Sequence, residues 1–568
     1  MRDAFVATGI EEADPVLTNS RRADLADYQA NGGIGIAKRQ RVAPRILAQS
    51  VVENLAIEDI ACEVNVAGPG FINIRLSNDF LWRKLSDAIS LERTDHPDVV
   101  VIDYSSPNLA KEMHVGHLRS TVIGDAMARI FEALGHKVVR QNHVGDWGTP
   151  FGQLVAQIRE VSPELANAED PKLRDLRVLV EHYRTGSEKY AGDKTFADAA
   201  REAVVQLQRG EPKTRALWRQ VREASLESMR DLYRRLDIRL TDDDIRGESS
   251  YHDDLPSIIE ALRSQGLATE SDGALCVFPE GFKGKDGSPL PMLLQKSDGG
   301  YLYHTTDLAA VRYRTSGLGG NRLLYFTDAR QIQHFEMLFA VSRLAGLAPD
   351  GCSLEHHPFG SVTDKQGRPF KSRTGYAVPL SELLDEAESR TRRVIAPKRR
   401  DLGATEAEHV IRTVAVGAIK YALLSKNLGQ NYVFDWDAML SLEGNTAPYL
   451  LYACSRIRSV LARAGMDVEG ARKLSAGLWA WTGQERALAL ELLRCQETLD
   501  QVATDVRPHF LCNYLYELTS KFMRFYEHCP ILGSSSDVRN GRLKLAANAA
   551  QTLESGLGCL GISTVPRM

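Results

Sequence analysis

The apolar run Val99-Val100-Val101-Ile102 is followed by a polar, glycine-containing loop. Apolar residues then recur at Val122, Ile123, Ala126, Met127, Ile130, Phe131 and Leu134. The first pattern is that of a strand covered on both faces; the second is one face of a 3.6-residue period. Gly135 ends the predicted helix as a left-handed cap, and Lys137-Val138-Val139-Arg140 reads as the next strand. Residues 99–140 are therefore expected to form a strand-helix-strand unit, the building block of a parallel sheet.

Before this unit, residues 1–95 read as a small α+β domain. Val51 to Ile57 is expected to be helical. Ala61 to Val66 and Phe71 to Leu76 read as strands joined by the turn Gly68-Pro69-Gly70. Thr94-Asp95-His96-Pro97-Asp98 reads as a linker. Residues 96–404 form a second domain, with a charged, mostly helical and then loop-rich insertion at 151–290. A β-hairpin is expected around Asp298-Gly299-Gly300, between Met292-Leu293-Leu294 and Tyr301-Leu302-Tyr303. The sheet resumes at Leu323-Leu324-Tyr325-Phe326. Residues 405–568 read as all-helical. Leu488, Leu492, Cys495, Leu499 and Val502 form one core-facing stripe, and a further helix carries Tyr514 to Tyr526 and stops near Pro530.

Composition narrows the class. The chain has 568 residues, 43% hydrophobic and 25% charged, which suits a soluble multidomain protein. No apolar run is long enough to span a membrane, and the N-terminus lacks a signal-peptide core, so a cytoplasmic protein is expected. The eight cysteines are scattered without C-x-x-C spacing and read as reduced thiols rather than a zinc site or a redox centre. A net charge of -4 announces no nucleic-acid binder, so any polyanion must meet local patches. Candidates are Lys38-Arg39-Gln40-Arg41 and the run from Arg390 to Arg400, although such runs also serve as solvated faces.

The chemistry concentrates where the first predicted helix begins, at His114-Val115-Gly116-His117. Free backbone N–H groups and the helix dipole favour an anion there. Gly116 lets a ligand lie against the backbone, and two imidazoles can donate to phosphoryl oxygens. Charge that builds on an attacked α-phosphate would be stabilised by such donors.

The surrounding residues carry a resemblance. Ser106-Pro107-Asn108, Ala110-Lys111 and His114-Val115-Gly116-His117-Leu118-Arg119-Ser120 together resemble the signature loop of the arginyl-tRNA synthetases, a class I aminoacyl-tRNA synthetase family. Asn142 to Gly148, Tyr303 to Asp307, Asp328 to His334, Glu443 to Tyr449 and Phe525 to Pro530 resemble further blocks of the bacterial enzymes, in the same order over most of the chain.

The resemblance implies a Rossmann-like parallel-sheet catalytic domain, a small α+β N-terminal domain that touches the tRNA body, and a helical anticodon-binding domain. It implies a ligase that activates L-arginine with ATP and transfers it to tRNA(Arg). Ser106, Pro107 and Asn108 would meet the amino-acid backbone, with Tyr303, Asp307 and Gln331 lining the arginine pocket and His117 at the boundary with ATP. A permanently charged, planar guanidinium needs a fixed carboxylate, and Asp307 suits that task. Tyr303 shares its face if the segment is helical. His114, Gly116, His117 and Lys111 would hold ATP.

One block departs from the class. The mobile loop whose two lysines meet the ATP phosphates corresponds to Pro369-Phe370-Lys371-Ser372-Arg373-Thr374-Gly375, with Ser372 at the second lysine position. Lys111 is the first candidate to replace that charge, with Lys371 and Lys365 behind it. Tyr449, Tyr452, Arg456 and Arg458 are candidates for stacking on anticodon bases, with bundle packing as their ordinary alternative. Mg2+ is expected only with the ATP phosphates, no zinc or redox cofactor is expected, and the protein is expected to be a monomer. Two rivals stay open at this stage: a small-molecule nucleotidyltransferase, and a tRNA-binding paralogue without activity.

Overall fold

The computed structural model describes residues 1–20, 22, 25–86, 91–109, 111–163, 173, 175–297, 299–370, 378–395, 403–477 and 479–568. The chain separates into two compact units. The first comprises Met1–Ser90, Ile457–Cys495 and Glu517–Thr552; the second comprises Leu91–Arg456, Gln496–Tyr516 and Leu553–Met568.

In the first unit, strands β1 (Leu17–Asn19), β2 (Tyr28–Ala30), β3 (Ala61–Ala67) and β4 (Phe71–Leu76) form an antiparallel sheet in the order β1-β2-β4-β3. The predicted glycine turn joins β3 to β4, with Gly68 and Gly70 both at positive φ. The preceding helix spans Pro44–Glu53, so of the helix expected at 51–57 only Val51–Glu53 is helical: the chain leaves the helix at Asn54. Phe5, Leu47, Val51, Ile72, Ile74 and Leu490 share one apolar core. Buried Asp27 anchors it, accepting from the Leu76 amide at 2.7 Å and from Arg486 at 2.6 Å.

The second unit is built on four parallel strands, β5 (Val99–Asp103), β6 (Lys137–Gln141), β10 (Arg322–Tyr325) and β11 (Ser353–His356), in the order β11-β10-β5-β6. The helix Val115–Ala133 connects β5 to β6, and Gly135 takes the left-handed conformation at φ +93° just past its end. Between β6 and β10 lie the helices Thr149–Val161, Leu176–Gly192, Lys194–Gln208, Pro212–Arg235 and Leu255–Ser264. The stretch expected to be loop-rich instead forms a second sheet of β7 (Ala268–Ser271), β8 (Ala274–Val277) and β9 (Met292–Gln295). Its strands are four residues each, too short for a clear two-residue period. The hairpin expected near residue 299 is short: Gln295 bridges Tyr301, and the Lys296 and Leu302 amides donate to the Gly300 and Leu294 carbonyls at 2.9 and 3.0 Å, before Tyr303 opens the helix Tyr303–Arg312.

Past residue 405 the chain is helical except at β13 (Tyr432–Val433), which pairs in parallel with β12 (Val362–Thr363). The stripe Leu488, Leu492, Cys495, Leu499 and Val502 is buried, but it runs over two helices, Gly483–Leu493 and Cys495–Asp505, with Arg494 between them. The helix His509–His528 ends two residues before Pro530, as expected. Seven of the eight cysteines are buried, all are free thiols, and Cys62 is exposed.

Candidate active site

From β5 the chain leads to β6 on one side, while β10 joins the opposite edge of β5. Loops leaving the carboxyl ends of β5 and β10 therefore diverge, which opens a crevice at the switch point. The crevice has a volume of about 640 Å³. Three other hollows of this unit are as large or larger, two of about 650 Å³ and one of about 790 Å³, so the lining and not the size distinguishes it. Ser106, Asn108, His114, Gly116, His117, Tyr303, Asp307 and Gln331 all line it.

The loop after β5 is strained and heavily tied. Ser105 and Ser106 have φ of +68° and +43°, a region that costs a non-glycine residue about 1 kcal/mol or more. The Ser105 amide donates to Ser120 Oγ at 2.9 Å, and the Ser106 amide donates to Asn142 Oδ1 at 3.0 Å. The Ser106 hydroxyl donates to Asp103 Oδ1 at 2.7 Å and accepts from the His143 amide at 3.0 Å. That hydroxyl is thus tied back into the loop, while Ser106 itself lines the crevice. Arg314 completes the tie, pairing with Asp103 at 2.6 Å from a π-helical turn, Tyr313–Gly317. Pro107 is buried and does not line the crevice; its carbonyl accepts from the Gly145 amide at 3.1 Å. Asn108 packs against the same glycine, where an added Cβ would lie 2.0 Å from its Oδ1.

His114 caps the helix Val115–Ala133. Its Nδ1 accepts from the Gly116 amide at 3.1 Å, and its own amide donates to His117 Nδ1 at 3.2 Å. The two rings lie 4.1 Å apart. A side chain at 116 would sit 2.8 Å from the His114 ring, so glycine is required for the cap as well as for ligand approach. Burial, followed by the charges of His114 and Lys111, pulls His117 down to about 3. Burial and Lys111 lower His114 as well. Both rings are therefore neutral hydrogen-bond donors and not cations at pH 7.

At the other end, Asp307 and Tyr303 lie one helical turn apart on Tyr303–Arg312. Asp307 Oδ2 accepts from His334 Nε2 at 2.8 Å, and Oδ1 lies 3.7 Å from His143 Nε2. Burial pushes the Asp307 carboxyl up, but the His334 hydrogen bond and the charges of His334, His143 and Arg314 outweigh it, and the net shift is downward. Tyr303 is 55% exposed, with its ring 5.3 Å from that of His334. Gln331 ends the short turn Ala329–Gln331, which Asp328 caps.

The sequence reading missed Glu248. It lines the crevice from the 3-10 turn Glu248–Asp254, within the insertion. Burial and then the charges of Asp307 and Asp146 push its carboxyl up to about 8. Asp103, Arg314, His143 and His334 were also not assigned to the site by sequence, since each acts through a partner remote along the chain.

Lys111 does not line the crevice. Its ammonium sits 4.8 Å from the ring centroid of Tyr183, in the insertion, while its charge still acts on both imidazoles. Lys365 is paired with Asp435 at 2.9 Å. Lys371 and Ser372, and Lys398 to Arg400 of the second basic run, lie outside the described residues. Tyr449, Tyr452, Arg456 and Arg458 follow one another on the helix Ala447–Arg463. Tyr449 lies 6.0 Å from Tyr516, and Arg456 donates to the Tyr452 hydroxyl at 3.2 Å. None of the four lines the crevice.

The comparisons agree with this geometry. Residues 83–436 match the family described as tRNA synthetases class I (R), catalytic domain. Residues 2–76 match the arginyl tRNA synthetase N terminal domain, and 450–568 match the DALR anticodon binding domain. An arginine–tRNA ligase of Actinobacillus succinogenes is 47% identical, over 100% of this chain and 98% of the relative. One from Escherichia coli is 46% identical over the same shares. The crystal structure of arginyl-tRNA synthetase from Plasmodium falciparum superposes with a TM-score of 0.85 at 29% identity, covering 100% of this chain and 98% of that one. A neutral imidazole pair at a helix start, facing a fixed carboxylate in a switch-point crevice, is the arrangement of a chain that belongs to the class I arginyl-tRNA synthetases.

Proposed function

We infer that this protein is an arginine–tRNA ligase, which activates L-arginine with ATP and transfers it to the 3′ end of tRNA(Arg). The single observation that carries the reading is the pairing, in one crevice, of a partly buried carboxylate oriented by His334 with two neutral imidazole donors at a helix N-terminus. The carboxylate of Asp307 takes the guanidinium, with Glu248 beside it as a second acceptor and Tyr303 and Gln331 closing the pocket. His114 and His117 donate from Nε2 to the ATP phosphates.

The arginine carboxylate attacks the α-phosphorus. A phosphorus–oxygen bond forms to arginine, the bond to pyrophosphate breaks, and pyrophosphate leaves with its charge. The terminal ribose hydroxyl of tRNA then attacks the arginyl carbonyl, AMP leaves, and the hydroxyl proton passes to the released phosphate. Positioning and charge stabilisation carry both steps, without a protein nucleophile. Lys111 supplies the charge absent at Ser372, and Lys371 assists it. Tyr449, Tyr452, Arg456 and Arg458 receive the anticodon arm. Mg2+ enters with the ATP phosphates.

The division at residues 95 and 404 then corresponds to tRNA-body contact, catalysis and anticodon binding. No helix among the described residues is long and apolar enough to cross a membrane. We propose a monomer that works in the cytoplasm, where its tRNA substrate is. Charging total tRNA with each amino acid in turn tests the reading. Arginine alone should be esterified, and charging by lysine would overturn the pocket assignment.

A further inference from the structure

Arg119 lies two residues past His117, on the same helix, and is 1% exposed. Three main-chain carbonyls hold its guanidinium. Nη1 donates to Gly360 at 2.5 Å and to Gln430 at 2.7 Å, and Nη2 donates to Leu428 at 3.2 Å. The ring of Phe359 lies 5.6 Å from its central carbon. These acceptors belong to two separate segments, one entering β12 and the other entering β13.

The two segments are also joined to each other. The Gly360 amide donates to Leu428 at 3.0 Å, and Tyr432 donates to Ser361 at 2.9 Å. Ser361 in turn donates to Asn431 Oδ1 at 2.9 Å. Contact is so close at Gly360 that an added Cβ would lie 2.6 Å from the Gln430 carbonyl. A buried cation is costly unless acceptors meet it; here Nη1 and Nη2 are met and Nε has no hydrogen-bond partner. A planar fork reaches several fixed carbonyls where an ammonium cannot. An apolar side chain could fill this space; it could not align three chain segments.

The alignment reaches the crevice. Phe359 lines it, and the Phe359 amide and carbonyl bond to Thr327 and Ala329, each at 3.0 Å, where the turn to Gln331 begins. His114 and His117 line it from the Arg119 helix. Asp307 and His334, by contrast, are held by the helices Tyr303–Arg312 and Ile332–Leu344, with no bond to Arg119.

We propose that Arg119 is a positioning residue for the nucleotide end of the crevice: it locks the two imidazoles against the Phe359 wall and the β12–β13 pair. This rests on the reading of His114 and His117 as phosphate donors. The test is ATP–pyrophosphate exchange with tRNA present, varying ATP and arginine separately, for Arg119→Lys, Arg119→Gln and Gly360→Ala. Near-UV circular dichroism checks folding, and Arg119→Lys keeps the buried charge should Arg119→Gln not fold. The expected result is a KM for ATP raised tenfold or more, with the KM for arginine within twofold. Gly360→Ala should show the same split, because it opens the same joint from the other side. Equal rises in both KM values, as a general loss of structure would give, or no rise in either, would overturn the proposal. His117→Ala is the control. If it raises the KM for ATP and the Arg119 variants do not, Arg119 has no such role. If it too leaves that KM unchanged, the phosphate reading fails first.

Discussion

The amide of His114 donates to Nδ1 of His117 at 3.2 Å, while the Nδ1 of His114 accepts from Gly116. Both Nδ1 atoms are acceptors, so the single proton of each neutral ring sits on Nε2. Protonating either Nδ1 would break the cap. Helix capping thus selects the tautomer that can donate to a phosphate, and burial preserves it.

Long-range nitrogen–proton NMR of the free enzyme should therefore show both rings as the Nε2–H tautomer. With His117 pulled down to about 3, its signals should stay constant from pH 8 to pH 5. The sign for stability follows. An unfolded histidine takes up its proton near pH 6.5. The folded ring resists protonation, so its contribution falls as pH drops from that value towards 3. A His117 midpoint near 6.5 in the folded protein would contradict the capped geometry.

Lys111 acts on both imidazoles but rests over Tyr183. If it meets the leaving pyrophosphate, Lys111→Ala should slow ATP–pyrophosphate exchange by about tenfold or more, roughly 1.4 kcal/mol of barrier, at an unchanged KM for arginine. A change below about threefold, under roughly 0.7 kcal/mol, would remove Lys111 from the mechanism. Tyr183→Ala should reproduce a smaller part of the loss, since a cation–π contact at an exposed site contributes about 0.5–1 kcal/mol.

What could be read in advance follows from how local the signal is. The segment from Val99 to Arg140 was legible because its strand, amphipathic helix and glycine cap are all short-range patterns. So was the pairing of Tyr303 with Asp307, which needs only one helical turn. The fate of the Ser106 hydroxyl was not legible, because Asp103 is held by Arg314 from a π-helical turn far along the chain. Glu248 lies in a charged stretch of 3-10 turns without periodicity, where an acid reads as a surface group. The stripe from Leu488 to Val502 was read as continuous because burial keeps its period across the break at Arg494.

Asp307 is held ready for a cation by His334. Removing one member of a hydrogen-bonded charge pair costs about 2–5 kcal/mol. Asp307→Asn should therefore lower kcat/KM for arginine by at least about 30-fold, each factor of ten corresponding to roughly 1.4 kcal/mol. It should leave the KM for ATP nearly unchanged. His334→Ala should show a weaker form of the same defect, because it orients the carboxylate without meeting the substrate. Unchanged arginine kinetics in Asp307→Asn would displace the guanidinium from this end of the crevice.

Glu248 sharpens the electrostatics of that pocket. Its carboxyl is pushed up to about 8 by burial and by the neighbouring charges of Asp307 and Asp146, so the free enzyme holds it protonated at pH 7. A guanidinium arriving beside it would reverse the balance and expel the proton. Titration calorimetry with arginine at pH 7, in two buffers of different ionisation enthalpy, should accordingly show proton release. Affinity should improve as pH rises towards 8 and then level off. Stability runs the other way: a raised carboxyl contributes fully below its unfolded value, and that contribution is lost as pH rises through 8. Glu248→Gln should thus raise Tm at pH 8 and hardly at pH 4.5, while abolishing the proton release and weakening arginine binding. Calorimetry that is indifferent to the buffer would show that Glu248 stays protonated beside the substrate, leaving Asp307 to meet the guanidinium without it.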